Sequence, residues 1–378
     1  MPQNGEAMEK NNATGTYRDE YTEYIYDEAC FGEPLDAQEP GDLTRGIELA
    51  LKLDNDNAFL EGVCRRLNEL GGDTAAMLEC VKKRYRSVLG TACPRTVVEW
   101  MRGTTPGTVN RRNNYELCMA LEMNYEETAD FFRRSFLSLP FIAKSRVDAV
   151  FMYILYHGRS YADAARLLAA SEGYELQDTA HTATSQIMRR IIETEDDEAF
   201  LTYLRAHCYG SAQQFLLAKE KIAVETELVK KSIRENASQT IASPDRLNSM
   251  TIEALLGYRY QLMDRAEKRP VLPKRFTESL PNDVTLGQIL GGKGVSYELL
   301  RKTLLLLHFY NFYSRAENID PRTIGGNLMD FYDEADELLE ACGFARLYMR
   351  HPFDCLLLYC ANSYDPILTM HYLNEKGE

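Results

Sequence analysis

Between positions 82 and 112 the chain gathers eight basic side chains, Lys82, Lys83, Arg84, Arg86, Arg95, Arg102, Arg111 and Arg112, against one acid, Glu99. Elsewhere the balance is acidic. The 378-residue chain carries a formal net charge of −14. An acidic surface repels a polyanion, so a segment this basic inside an acidic protein is the most informative feature of the sequence. Guanidinium and ammonium groups bind phosphate oxygens. Arginine also matches the O6/N7 edge of guanine, and a glutamate can accept from cytosine N4. The chemistry on offer is polyanion binding with base reading.

The stretch "PRTVVEWMRG" (94–103) lies inside that segment and holds the only tryptophan. On a helical wheel at about 100° per residue, Arg95, Glu99 and Arg102 fall within about 60° of one another. Val97, Trp100 and Met101 fall on the opposite side, with Thr96 and Val98 at the edges. The pattern predicts a short helix anchored by Val97, Trp100 and Met101 that presents Arg95, Glu99 and Arg102 outward. An ordinary amphipathic surface helix has the same wheel.

Other chemistry is weaker. "GQILGGKG" (287–294) approaches a phosphate-binding loop, but Gly294 stands where the Mg²⁺-ligating Ser or Thr belongs, and no β-strand pattern precedes it. It reads as a short helix ending at glycines, with Ser296 capping the next helix. Cys342, His351, Cys355 and Cys360 lack the paired spacing of zinc ligands, and buried thiols are expected. "DDE" at 196–198 and "DEADE" at 333–337 read as helix-start or solvated acids, and His157 as a helix C-cap. No catalytic constellation is evident, so no enzyme activity, cofactor or metal is expected. Nine cysteines without disulfide-like spacing, a polar N-terminus and no apolar run of about 18 residues fit a cytoplasmic protein without a membrane span.

The elements that must position the basic segment are helices. Apolar residues recur at three- and four-residue intervals in "NAFLEGVCRRLNEL", "TAAMLECVKKRYRSVL", "NNYELCMALEM", "YEETADFFRRSF", "RVDAVFMYILYHG" and "SYELLRKTLLLLHFYNFY", with caps at Asn124 and Ser160. No alternating β-branched run and no fixed-period repeat is present. The expected architecture is all-α: an acidic tail (1–41), a helix-turn-helix-like domain (42–140), a helical domain (141–240), a linker, and a C-terminal helical block (250–378) of bundle or solenoid type. Residues 1–42 hold eleven acids and two bases. Within them "YRDEYTEYIYDEACF" (17–31) interleaves tyrosines with acids. This is either a solvated tail or a segment that docks on a partner, or on the basic patch as a mimic of phosphates.

The order of a basic helix, a turn at "LGTAC", "PRTVVEWMRG", a Thr-Pro loop, "LCMAL", a cap and "EET" resembles the lambda-repressor-like (Cro/XRE) helix-turn-helix family over roughly residues 73–137. The resemblance implies a recognition helix in the major groove, with Arg95, Thr96, Glu99 and Arg102 facing bases. It implies phosphate contacts from Arg111 and Arg112, and Lys82, Lys83, Arg84 and Arg86 suit the same role. It further implies double-stranded DNA as partner and homodimers on two-fold sites; the large acidic helical remainder is expected to dimerise or to receive a protein or small-ligand effector. The rest of the chain resembles, more loosely, long helix-turn-helix proteins of Gram-positive bacteria. The expected function is transcriptional regulation. The alternative is an all-helical interaction or scaffold module that keeps the helix-turn-helix shape and binds a protein.

Overall fold

A computed structural model describes residues 34, 58–67, 73–104, 111–173, 183–236, 283–367 and 369–370. Apart from residue 34, the tail (1–41) lies outside these residues, as do the linker after 236 and the start of the second block near Thr251. Within them the chain is all-α, as expected, with no strand and one isolated bridge between Ser145 and Tyr209.

The first helices are α1 (Ala58–Leu67), α2 (Thr74–Arg84), α3 (Arg95–Met101), α4 (Arg111–Ala120) and α5 (Tyr125–Ser135). Asp73 caps α2 by accepting from Ala75 N–H at 3.0 Å. The helix runs on as a π-helical turn, Tyr85–Leu89, and stops at Gly90, whose φ of +68° favours glycine. Pro94 starts α3 with extended backbone. A reciprocal capping box fixes the start of α5, where Asn124 accepts from Glu127 N–H at 2.8 Å and Glu127 accepts from Asn124 N–H at 2.9 Å.

The chain continues through α6 (Arg146–Tyr156), α7 (Tyr161–Ala170), α8 (Thr184–Glu193) and α9 (Asp197–His207). From Ala149 to Ile154 helix α6 is apolar on every side and fully buried, so this stretch runs through the middle of the core. Ser160 and Asp163 form the capping box of α7, His157 ends α6, and Asp196 caps α9. One apolar cluster runs from Phe59 to Cys208. Aromatic contacts knit it: Phe59 meets Trp100 at 6.0 Å, and Tyr153 stacks on Phe200 at 4.1 Å. The expected division at 140/141 therefore does not separate two cores, because helices on both sides of it share one.

The second core begins within α10 (Ser211–Asn236) and includes α11 (Asp283–Leu290), α12 (Tyr297–Tyr313), α13 (Ile324–Ala341) and α14 (Pro352–Ala361). Helix α12 is buried from Leu300 to Tyr313 and is its axis. Helix α13 contributes Leu328, Phe331, Ala335 and Leu339, the three- and four-residue rhythm of one apolar stripe. The glycine-rich stretch takes the structural form read from the sequence: α11 ends at Leu290, and Ser296 caps α12 by accepting from Leu299 N–H. The two cores touch. Gln214 donates to Gly343 C=O at 2.7 Å, and Tyr348 O–H donates to Arg133 C=O at 3.2 Å.

Candidate nucleic-acid interface

Helix α3 has the two faces predicted for it. Val97, Trp100 and Met101 are buried against Phe59 and Phe136 and their neighbours. Arg95, Thr96 and Arg102 are exposed and Glu99 is half-exposed. The Arg95 side chain is 92% accessible even though its Nε donates to Glu99 at 2.8 Å. No described neighbour covers this face, which is the condition for entering a groove. Thr96 lies next to Arg95 on the same exposed rim.

The flanking cations divide into three groups. Lys83 and Arg86 are exposed on α2 and its π-helical extension. Lys82, Arg84 and Arg112 are partly exposed and paired locally: Lys82 with Glu79 at 2.7 Å, Arg84 with Glu122 at 2.6 Å, and Arg112 with Glu116 at 2.7 Å and with Tyr161 Oη at 3.2 Å. The Lys82 and Arg84 pairs are exposed, weak and exchangeable, whereas Arg112 rests on the buried carboxylate of Glu116, which also accepts from Tyr161 O–H. The basic segment is thus partly neutralised by acids from neighbouring turns, which a count along the sequence does not show.

Arg111 forms the third group and corrects an expectation. It is 6% exposed and cannot reach a phosphate. Its guanidinium forms a fork on Asp148, with Nε 2.9 Å from both carboxylate oxygens and Nη2 bonded to Oδ1. It also donates to Ser138 Oγ at 3.2 Å and to Leu139 C=O at 2.9 Å. Asp148 accepts further from Tyr115 O–H at 2.6 Å, Ile142 N–H at 3.2 Å and Ser145 O–H at 2.7 Å. Buried charges need this degree of compensation to persist. Arg111 therefore fixes the start of α4 against α6 and sets the scaffold behind α3.

The second core contains the same device. Arg301 on α12 makes a bidentate pair with Asp354, 2.7 Å on each arm, and donates to Ala345 C=O at 3.1 Å and Arg346 C=O at 3.0 Å. Asp354 accepts from Tyr348 N–H at 2.9 Å, six residues upstream, as Asp148 accepts from Ile142. Three residues upstream sit the helix N-caps, His351 and Ser145. Eleven residues upstream of the aspartate both segments have a positive φ, +70° at Gly343 and +50° at Leu137. One arginine–aspartate clamp with its approach loop is thus built twice. A search for sequence periods misses it, because the cap and turn residues differ in type.

Around the second clamp, Glu298, Lys302 and His351 complete a largely buried charge cluster. His351 Nε2 is 3.0 Å from Glu298 Oε1, and Nδ1 is 3.2 Å from Asp354 Oδ1. Burial opposes the charged imidazole, but Glu298 and Asp354 outweigh it and raise the pKa of His351. Burial also works against charge on Asp354, yet Arg301 and His351 hold its carboxyl well below the usual range. These contacts tie α12 to the start of α14. Cys342, Cys355 and Cys360 are buried thiols, and no metal-binding group of His, Cys, Asp and Glu occurs among the described residues. Asp336, within the expected solvated acids, is instead half-buried. Burial raises its pKa to about 7, although Leu347 N–H donates to it at 2.7 Å. No described helix is long and apolar enough to cross a membrane. Compared with known proteins, the chain matches no family model, no curated sequence and no solved structure.

Proposed function

We propose that the chain is a DNA-binding regulatory protein that docks α3 into the major groove. The observation that carries this reading is the division of α3: Val97, Trp100 and Met101 are locked in the core, while Arg95, Thr96, Glu99 and Arg102 are open to solvent. A rigid back and an exposed, hydrogen-bonding front are what base reading requires. Lys83 and Arg86, exposed on the preceding helix, suit phosphate contact, as do Lys82 and Arg84 once their surface pairs exchange. Arg111 takes no part in contact and holds the scaffold. The resemblance of residues 73–137 to the lambda-repressor-like family supports the same reading. A second reading, a scaffold that binds protein, is favoured by the pairing of Glu79, Glu99, Glu116 and Glu122 with the surrounding cations.

The test is a titration of mixed-sequence duplex DNA with Arg95→Ala and Arg102→Ala proteins beside the parent. Loss of affinity in both variants with unchanged thermal stability supports groove docking. Parent and variants that bind alike, in any salt, remove α3 from the interface.

A further inference from the structure

The acidic-aromatic segment 17–31 has no role in the proposed DNA contact, yet it is the chemical complement of the surface that makes it. It presents Asp19, Glu20, Glu23, Asp27 and Glu28 among Tyr17, Tyr21, Tyr24 and Tyr26, with Arg18 as its single base. The surface it complements carries exposed Lys83, Arg86, Arg95 and Arg102 and half-exposed Lys82 and Arg84. Carboxylates at such spacing offer arginine the planar acceptors that phosphates offer. Tyrosine rings give guanidinium groups a face to stack on.

The tether makes the contact local. Helix α1 starts at Ala58, and the next residue, Phe59, packs on Trp100, the buried anchor of α3. The chain thus joins the folded body directly behind the basic face. Twenty-nine residues lie between Glu28 and Ala58. Passing from one side of a helix to the other needs only about 10–12 Å, far less than a chain of that length can span. A covalent tether raises the effective concentration of the segment at this face above that of a free competitor. At that concentration several weak, screened ion pairs suffice to compete with a ligand.

We propose that residues 17–31 dock on the face formed by Lys82, Lys83, Arg86, Arg95 and Arg102 and act as an intramolecular competitor of DNA. The regulatory part rests on the DNA-binding reading of that face; the contact itself does not. DNA must displace the segment, so only a site bound tightly enough to repay that displacement is occupied, and non-specific binding is suppressed. A partner that captures the tyrosine-rich segment would release the face.

Two readouts on the full-length chain test this. In the first, a carbodiimide joins carboxylates to adjacent lysines without a spacer, and the linked peptides are mapped. Links from Asp19, Glu20, Glu23, Asp27 or Glu28 to Lys82 or Lys83 are expected, and their absence overturns the contact. In the second, fluorescence anisotropy follows a mixed-sequence duplex binding to the parent and to a variant with Asp19→Asn, Glu20→Gln, Glu23→Gln, Asp27→Asn and Glu28→Gln. The variant is expected to bind about tenfold more tightly at low salt, with the gain shrinking as ionic strength screens the competitor. A control variant neutralises exposed acids remote in sequence, Glu220→Gln, Glu227→Gln, Asp330→Asn, Asp333→Asn and Glu337→Gln. If the control gains as much, the effect is bulk charge and the proposal falls. Equal affinity of the parent and the segment-neutralised variant also overturns it while leaving DNA binding intact. If neither chain binds duplex DNA, the DNA reading fails on its own, and the cross-links alone decide the contact.

Discussion

Arg111 and Arg112 are adjacent in sequence and meet opposite fates. Arg112 stays at the surface with Glu116 and Tyr161, while Arg111 is buried in a fork on Asp148. The partner lies 37 residues away, so no local pattern reveals it. Removing one member of such a pair leaves a buried charge unpaired. Asp148→Asn is therefore expected to lower stability by about 3–5 kcal/mol, and Asp354→Asn to do the same in the second core. The double variant Arg111→Met/Asp148→Leu should cost much less than Asp148→Asn alone. Denaturant unfolding of the three proteins checks this, and equal losses in the single and double variants would refute it. The exposed side of the same region makes a different prediction. Arg102→Ala should leave stability unchanged and reduce the salt slope of DNA binding by about one, read from affinities at several salt concentrations.

At the scale of elements, much was legible before the structure. The caps at Asn124, Ser160 and Ser296, the stop at His157 and the anchored face of α3 follow from residue types whose local bonding is strong. What escaped depends on packing. Asp336 sits in an acidic run that reads as solvated, yet the approach loop after α13 covers it and supplies Leu347 N–H. Its carboxyl has a pKa of about 7 in the folded chain and about 4 when unfolded. The folded state holds this proton more tightly, so stability falls as pH rises from about 4 through 7. Asp336→Asn removes that loss. The gain in melting temperature of the variant over the parent should be small at the acidic end of this window and grow toward neutrality. A difference independent of pH would contradict the assignment. Helix pairing is also tight where α1 meets α5: a Cβ on Gly62 would lie 2.1 Å from Ser135 Oγ. Gly62→Ala is expected to destabilise the first core, seen as a lower denaturation midpoint.

On the scale of the whole molecule, the sequence pattern predicts three helical units, whereas the described residues form two cores, because α6 to α9 pack into the same cluster as α1 to α5. Helical periodicity reports which face of each helix is apolar, but it does not report which helices share that face's cavity. The duplicated clamp was hidden for a related reason. Its offsets are fixed by backbone geometry, while Ser145 and His351, or Leu137 and Gly343, satisfy it with different chemistry. The cores are linked by Gln214 and Gly343, by Tyr348 and Arg133, and by Arg111, which lies 6.0 Å from the Tyr297 ring. Trp100 fluorescence reports the first core alone, whereas circular dichroism reports both, so coincident unfolding curves are expected if these links couple them.

The division of α3 into a locked back and an open front is the centre of the account, and salt-dependent DNA binding tests it most directly. Fluorescence anisotropy should show the chain binding mixed-sequence duplex DNA with affinity that falls steeply as salt rises, and Arg95→Glu with Arg102→Glu should abolish it. Absence of binding at low salt, in both the parent and the segment-neutralised variant, would contradict the account and assign the open face of α3 to a protein partner.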